Sequence, residues 1–234
     1  MSPHAPRPLG VLNLERGVPP SGSPPKSPIG GLLNPETFGF PVISETVEGA
    51  WAEVVVRGEL ALEAACIAAA KKLVQRGAAA ISANCGFFIR HQTAVAAAVN
   101  VPVALSSLLL LPILLRQFPK SAKIAVFTYD SKHCGRDLFP IDEADQARIV
   151  VGGLEHTSFW HDEQKRPAPP VDYAAIETDL SACIQRLRSA HSEIAAILFE
   201  CTAFPVVAPT IRRRTEVPIY DITDLCRLTM ASLG

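Results

Sequence analysis

Two cysteines in similar surroundings are the residues of this chain whose type and spacing best suggest chemistry. One ends the stretch Ala78-Ala-Ala-Ile-Ser-Ala-Asn-Cys85, and the other ends the stretch Ile194-Ala-Ala-Ile-Leu-Phe-Glu-Cys201. In each stretch an apolar run is followed by a polar residue and then by the thiol. If the two thiols face each other across a cleft, one can remove a proton from a substrate carbon while the other delivers one to its opposite face. Such a pair would invert the stereocentre at that carbon.

The two cysteine stretches belong to a long internal repeat. The cysteines lie 116 positions apart, and Val101-Pro-Val-Ala104 recurs at the same offset as Val217-Pro-Ile-Tyr220. Upstream, Leu9-Gly-Val-Leu-Asn13 aligns with Ile124-Ala-Val-Phe-Thr128 at an offset of 115. Solenoid repeats are only about 20–50 residues long. The period therefore indicates a duplicated half-domain, with one thiol in each half.

A purely structural role for the cysteines is the alternative, because cysteine is among the most buried residue types. Equivalent positions in a duplication favour function instead. We expect each thiol to precede a helix, whose N-terminal N–H groups and positive dipole end would favour the thiolate. A free thiol has a pKa of about 8.5, close enough to neutrality for both protonation states to be reached.

The remaining pattern predicts strands that alternate with helices, which indicates parallel α/β units. We expect each half to be a three-layer α/β/α sandwich. Strands are expected at 9–14, 78–83, 101–105, 124–128, 194–199 and 217–220, with a short extended piece at 38–42. Helices are expected at 59–76, 87–99, 108–118, 171–190, 204–214 and from 221 onward. Ligands of such sheets bind beyond the carboxyl ends of the strands, where Asn13, Asn84, Cys85, Thr128 and Cys201 fall.

We predict two domains. Residues 1–8 are expected to be a disordered tail, residues 9–106 plus about 217–234 to form domain 1, and residues 107–216 to form domain 2. The segment 18–35 is rich in proline and glycine and is expected to be irregular. A loop of this length in a compact domain is typical of an active-site cover, although the sequence leaves its role open.

Composition excludes several classes of function. The net charge is −1, which gives no electrostatic case for binding nucleic acid or an anionic membrane. The longest apolar stretch, Leu108–Leu115, has eight residues, whereas a membrane span needs about 20. The N-terminus does not read as a signal peptide, and the six cysteines lack paired spacing. We therefore expect a cytoplasmic protein with reduced thiols.

Four segments carry a resemblance to a known family. They are Ser82-Ala-Asn-Cys-Gly-Phe-Phe88, Val101-Pro-Val-Ala-Leu-Ser-Ser-Leu108, Lys123-Ile-Ala-Val-Phe-Thr128 and Phe199-Glu-Cys-Thr-Ala-Phe-Pro205. With these segments the chain resembles the aspartate/glutamate/hydantoin racemase superfamily, which also contains maleate isomerases and arylmalonate decarboxylases. The resemblance runs from about residue 9 to the end. It implies two pseudo-symmetric α/β domains with parallel sheets and cofactor-independent racemisation by two thiols in a site between them.

The resemblance also implies roles for single residues. Cys85 and Cys201 would be the acid/base pair that acts on a small carboxylate such as aspartate, glutamate or a hydantoin. The substrate carboxylate would be held by Asn13, Asn84, Gly86, Thr128 and Thr202. No metal or cofactor is implied, and a homodimer is implied by analogy alone.

Departures from the glutamate racemases leave other functions open. Those enzymes have Asn-Thr where this chain has Gly86-Phe87, and His where it has Ala203. They have Asp-Ser where this chain has Asn13-Leu14. An enzyme like maleate isomerase or arylmalonate decarboxylase, which needs one active thiol, is the first alternative. A carboxylate-binding protein without turnover is the second.

Glu200 and two histidine-containing segments are further candidates. Glu200 could tune the Cys201 thiol or assist proton transfer, but adjacent strand residues point to opposite faces, which favours a structural role. The segment Asp130 to Cys134 and the pair His156 and His161 lack a recognised zinc spacing, so we expect no metal site.

Overall fold

The structure, a computed structural model, describes residues 7–18, 22 and 26–233, and within them lie two four-stranded parallel sheets. The first sheet has the strand order β2-β1-β3-β4 and the second has the order β6-β5-β7-β8. The strands are β1 (Leu9–Asn13), β2 (Val42–Thr46), β3 (Ala80–Ala83), β4 (Val103–Ala104), β5 (Lys123–Thr128), β6 (Ile149–Gly153), β7 (Ile194–Phe199) and β8 (Ile219–Tyr220). The second sheet repeats the topology of the first, as the internal repeat requires.

Helices and short 3-10 turns connect the parallel strands. The α-helices are α1 (Ala52–Arg57), α2 (Glu63–Gln75), α3 (Gln92–Ala98), α4 (Leu111–Gln117), α5 (Glu143–Gln146), α6 (Ser158–Asp162), α7 (Tyr173–Ala190), α8 (Ala208–Arg212) and α9 (Ile222–Ala231). The 3-10 turns are Pro35–Thr37, Leu60–Leu62, Gly86–His91, Ser107–Leu110, Arg136–Leu138 and Phe204–Val206. Crossover connections of this kind are what parallel strands need. The predicted α/β class with parallel sheets is confirmed.

The central strands are buried on both faces, which explains their continuous apolar runs. In β5 the run Ile124 to Phe127 is fully buried, and β7 is similar. One hydrophobic core extends through both halves, so that Leu12 of β1 belongs to the same cluster as Phe199 of β7. The two sheets therefore share a core, which fixes the carboxyl ends of their strands relative to each other.

Several elements differ from the sequence prediction, and the expected helices at 59–76 and 87–99 begin as 3-10 turns without proline. The expected helices at 108–118 and 204–214 begin as 3-10 turns, and Pro112 stands in the first turn of α4. Proline lacks an N–H group and is tolerated in the first turn of a helix but not further along. The extended piece expected at 38–42 is a strand at Val42–Thr46, and β6 was not predicted.

The chain returns to the first half later than predicted. We assigned residues from about 217 to domain 1, but β8 pairs with β7 in the second sheet. The return comes at Asp221, whose side chain forms a capping box at the start of α9. Helix α9 then packs against β1 and β3 through Ile222 and Cys226. Residues 217–220 thus belong with the second sheet, because the parallel ladder holds them there.

Two predictions fall partly outside the described residues. These are the disordered tail at 1–8, of which residues 7 and 8 are described, and the part of the 18–35 loop at 19–21 and 23–25. In the part of the chain that is described, none of the helices combines the length and apolar character needed to cross a membrane.

Candidate active site

Cys85 and Cys201 occupy equivalent places at the carboxyl ends of two central strands. Each thiol stands two residues beyond its strand, since β3 ends at Ala83 and β7 ends at Phe199. Both residues line one cavity of about 430 Å³. The duplicated cysteines therefore meet in a single pocket, as the repeat predicts.

The pocket walls are largely apolar and aromatic. Tyr129, Phe159 and Tyr173 of the second half line it together with Phe87 of the first half. Segments 26–28 and 31–33, which belong to the long loop singled out in the sequence, also line it. The polar side chains of the wall include Arg16, Glu163 and Glu200. The lining of the pocket thus combines aromatic rings with the two cysteine turns.

Direct hydrogen bonds join the two cysteine turns. The hydroxyl of Thr202, next to Cys201, donates to the backbone carbonyl of Asn84, next to Cys85. Ser107, in the segment between β4 and α4, donates its hydroxyl to the carbonyl of Phe199 at 2.7 Å and so holds the end of β7, two residues before Cys201. The relative position of the thiols is therefore held by polar contacts as well as by the shared core.

The structure brings together five of the seven residues predicted for the site. The five that line the pocket are Cys85, Cys201, Asn84, Gly86 and Thr202. Asn13 and Thr128 are not among the described residues that line it. Their roles in substrate binding stay predictions, as do those of the other five.

Three of the predicted binding side chains already have partners within the protein. The Oδ1 atom of Asn84 accepts a hydrogen bond from the backbone N–H of Leu14 at 2.8 Å. Thr128 is buried and donates its hydroxyl to Oε2 of Glu200 at 2.7 Å. The Thr202 hydroxyl proton is likewise engaged with Asn84. These bonds occupy the hydroxyl protons of Thr128 and Thr202, whereas Asn84 uses only its amide oxygen, so its Nδ2–H groups can still donate to a carboxylate.

Burial raises the pKa of both thiols well above the usual value, and the nearby Glu200 charge adds to this effect. The backbone N–H groups of Phe87 and Ala203 oppose the rise. The expectation that helix N-termini would favour the thiolate is therefore not met. Each cysteine is followed by a short 3-10 turn, whose few N–H groups do not offset the loss of hydration. Both thiols need a proton acceptor before either can act as a base.

Glu200 is part of the pocket wall, which sequence reasoning left open. The alternation rule does not apply to it, because β7 ends one residue earlier at Phe199. Glu200 is fully buried, and burial raises its pKa to about 7, opposed by the hydrogen bond from Thr128 and the charge of Arg90.

Sequence reasoning missed the ion pair between Arg16 and Glu163 at the pocket. The Nη1 atom of Arg16 lies 2.5 Å from both carboxylate oxygens of Glu163, whose side chain is 7% exposed. Arg16 also donates to the carbonyl of Pro169 at 3.0 Å and accepts from the N–H of Ala168 at 2.9 Å. These residues are 147 or more positions apart, so no local pattern could have paired them.

In residues 7–18, 22 and 26–233, no three His, Cys, Asp or Glu side chains are grouped as a metal site. Within the histidine-containing segment, Nδ1 of His133 lies 3.0 Å from Oδ1 of Asp130. The indole N–H of Trp160 donates to the other oxygen of Asp130 at 3.3 Å. These contacts hold the loop that follows β5. Trp160 also stacks against the ring of Tyr129, which lines the pocket.

Comparisons with known proteins relate this chain to lyases by sequence. No protein-family model matches it. It is 34% identical to dimethylsulfoniopropionate lyase 2 of Emiliania huxleyi, over 97% of this chain and 72% of that protein. It is 29% identical to dimethylsulfoniopropionate lyase 3 of the same species over 96% of this chain, and spans 59% of that protein's length.

Similar solved structures include racemases and decarboxylases. A glutamate racemase isoform from Bacillus anthracis matches with a TM-score of 0.58 and 15% identity, over 98% of this chain and 81% of that one. Unliganded arylmalonate decarboxylase matches with a TM-score of 0.54 and 17% identity, over 97% of this chain and 92% of that one. At this level of identity the likeness concerns the fold alone.

The fold expected from the racemase resemblance is thus confirmed, whereas the relatives by sequence carry the name of a lyase. A function suggested by either comparison has to account for the two thiols that line one pocket at equivalent strand ends. On the strength of the 34% identity over nearly its whole length, this chain belongs to the dimethylsulfoniopropionate lyase family and has the Asp/Glu racemase fold.

Proposed function

We propose that this chain catalyses the β-elimination of dimethylsulfoniopropionate to dimethyl sulfide and acrylate. The observation that carries the proposal is the placement of Cys85 and Cys201 in one pocket of a chain from this family. Elimination and racemisation begin with the same event, which is removal of a proton from the carbon next to a carboxylate. A racemase scaffold can therefore serve a lyase if its pocket holds a leaving group on the next carbon.

The pocket walls suit a sulfonium group. Its positive charge is permanent, and its two methyl groups are apolar. Rings such as Tyr129, Phe159 and Tyr173 offer negative π faces to a cation at little desolvation cost. A charged amino group, in contrast, would need hydrogen-bond acceptors. The apolar wall thus supports a sulfonium substrate over an amino acid.

The reaction needs one base and releases one proton. A thiolate of the pocket takes a proton from the carbon next to the carboxylate. The electron pair of that C–H bond forms the new C=C bond. The C–S bond breaks, and its electrons leave on sulfur as neutral dimethyl sulfide. Acrylate follows, and the abstracted proton passes to solvent.

Two-thiol racemisation of an amino acid or hydantoin is a second candidate, because both thiols line the pocket. The two reactions differ in how many thiols they need. Elimination uses one base, whereas racemisation requires a base on one face and an acid on the other.

The homodimer implied by the resemblance stays a prediction, and sedimentation would test it.

The test is to supply dimethylsulfoniopropionate and to measure dimethyl sulfide in the headspace and acrylate by proton NMR. Wild type would be compared with Cys85→Ser and Cys201→Ser. We expect equimolar products, with one substitution abolishing turnover and the other only reducing it. Cys183→Ala is the matched control, since this buried cysteine lies in α7 and lines no part of the pocket.

Other results would point elsewhere. Deuterium uptake at the α carbon of an amino acid or hydantoin with loss of chirality, dependent on both thiols, would favour the racemase. Binding of a carboxylate without release or exchange would favour the non-catalytic alternative.

A further inference from the structure

Glu200 is a buried carboxyl group that touches both cysteine turns. It precedes Cys201 in the chain, is fully buried and lines the pocket. On the other side it lies against Gly86, which follows Cys85. A Cβ atom at position 86 would lie 2.5 Å from the backbone oxygen of Glu200 and would overlap its Oε1 atom. Glycine at this position is what lets the carboxyl group reach the first thiol's turn.

The hydrogen bonds of this carboxyl group are incomplete. Oε2 accepts from Thr128, whereas the buried Oε1 atom has no partner among the described residues. An ionised carboxylate in this situation costs free energy, since its charge is out of water and only partly solvated by the protein. The group is therefore poised to exchange a proton, and Oε1 is the atom free to do so.

The groups that face Glu200 come from several elements of both halves. A negative charge on Glu200 raises the pKa of three thiols, and its own pKa is lowered by the nearby cation Arg90. The thiols are those of Cys85, Cys134 and Cys201. Glu163 acts on Cys85 and Cys201 in the same direction, but it is neutralised by Arg16. With Glu163 paired, one negative charge in the pocket has no ion-pair partner, and either Glu200 or a thiol carries it. The protonation states of these groups are therefore coupled.

We infer that Glu200 is the proton acceptor that activates a pocket thiol. The Glu200 carboxylate takes the S–H proton, which leaves a thiolate and a neutral carboxyl group. The thiolate takes the proton from the substrate carbon and becomes a thiol again. After dimethyl sulfide departs, the neutral carboxyl group releases its proton to solvent, which matches the one proton of the overall reaction. Glu200 acts through the thiol and not on substrate, so it is a positioning residue, and the inference rests on the proposed function.

The decisive experiment measures thiol reactivity without any substrate. Wild type, Glu200→Gln and Glu200→Asp would be alkylated with iodoacetamide from pH 6 to 10, and each cysteine followed by mass spectrometry. Removing the charge should raise the alkylation rates of Cys85 and Cys201 about tenfold at the alkaline end of this range, because a lower thiol pKa gives a larger thiolate fraction. Glu193→Gln is the matched control, because this acid pairs with Lys123 at the opposite ends of the strands.

The second readout is the pH profile of elimination. In wild type kcat/KM should rise through pH 7, as Glu200 loses its proton. In Glu200→Gln the rise of kcat/KM through pH 7 should be absent. Its kcat should fall by about 100-fold or more, although its thiols are more reactive to alkylation. Glu200→Asp should recover part of the rate. Thr128→Val keeps the Glu200 carboxyl group but removes the hydroxyl that donates to it. The pKa of Glu200 should then rise, and the increase of kcat/KM should move to higher pH. This variant tests the inference even if Glu200→Gln does not fold.

The outcomes separate this inference from the proposed function. An unchanged alkylation profile in Glu200→Gln overturns the inference, and so does a shifted profile with undiminished elimination. If wild type releases no dimethyl sulfide, the proposed function fails. The alkylation profiles then still decide whether Glu200 and the thiols share a proton.

Discussion

The hydroxyl of Thr202 donates a hydrogen bond to the backbone carbonyl of Asn84, and this contact joins the neighbour of one pocket thiol to the neighbour of the other. The partners are 118 positions apart and belong to different halves. The spacing of the thiols is therefore held by a bond between their own turns. Two sheets that touched only through an apolar core could shift by rearranging side chains, whereas this contact has one geometry.

Thr202→Val tests that relationship. Valine has nearly the same shape but no donor, so the Asn84 carbonyl loses its partner. We expect the free energy of unfolding to fall by about 1 kcal/mol, and kcat/KM to fall between about 10- and 100-fold as the thiols lose their alignment. Urea denaturation and acrylate release would measure the two effects. Thr202→Ser should restore both, and full activity in the valine variant would show that elimination does not depend on this link.

Gly86→Ala should inactivate the protein, because the new methyl group would occupy the place of the Glu200 carboxyl group. We expect activity to drop by at least about 100-fold and stability to fall by about 1–3 kcal/mol from overpacking. Product release and thermal unfolding would be measured together.

Gly77→Ala provides the control for that loss. Gly77 has φ of +90° and no atom within 4 Å of an added Cβ, so alanine there is strained but meets nothing. The cost should be about 1–2 kcal/mol of stability with unchanged kcat/KM. Equal losses of activity in both variants would mean that general destabilisation, not contact with Glu200, is the cause.

Arg16→Met should make the thiols less reactive. Its removal leaves the Glu163 carboxylate in the pocket wall without its cation, and uncompensated negative charge raises thiol pKa values. Alkylation of Cys201 at a given pH should become slower in Arg16→Met and faster in Glu163→Gln. Opposite shifts are the expected result, and shifts of the same sign would contradict it. Arg166→Gln is the control. It removes a cation three residues from Glu163 that pairs with Glu53, and it should leave the alkylation of Cys201 unchanged.

Arg148 should matter for stability but not for catalysis. This buried arginine donates to the carbonyl oxygens of Ala122, Leu115 and Pro119 at 2.9–3.1 Å, and so ties the end of α4 to the start of β5. Arg148→Met removes all three hydrogen bonds, although the Pro119 carbonyl keeps the N–H of Ala122 as a donor. We expect the free energy of unfolding to fall by about 3 kcal/mol or more, with Arg148→Lys in between. The kcat/KM of the folded variant should stay unchanged, because Arg148 lies at the end of the sheet away from the thiols.

The parallel α/β fold could be predicted because its evidence is local and repeated. Buried parallel strands show as short apolar runs, and a repeat of 116 residues requires the same topology twice. The prediction was less exact at β6 and α1, which are short and lack a clear period. The return of the chain to the first sheet was placed too early, because Val217 to Tyr220 reads as a strand without indicating which sheet it joins.

The meeting of Cys85 and Cys201 followed from the sequence alone, since equivalent positions in a duplicated fold lie at equivalent strand ends. The protonation of these thiols did not. It depends on how much water the fold removes and on which charges it brings near, and Glu200, Glu163 and Arg16 reach the pocket from distant parts of the chain. Sequence thus determined where two thiols would stand, while the tertiary structure decided that Cys201 is buried and Cys85 half-buried, that the pKa of each thiol is raised, and that a buried carboxyl group lies beside both of their turns.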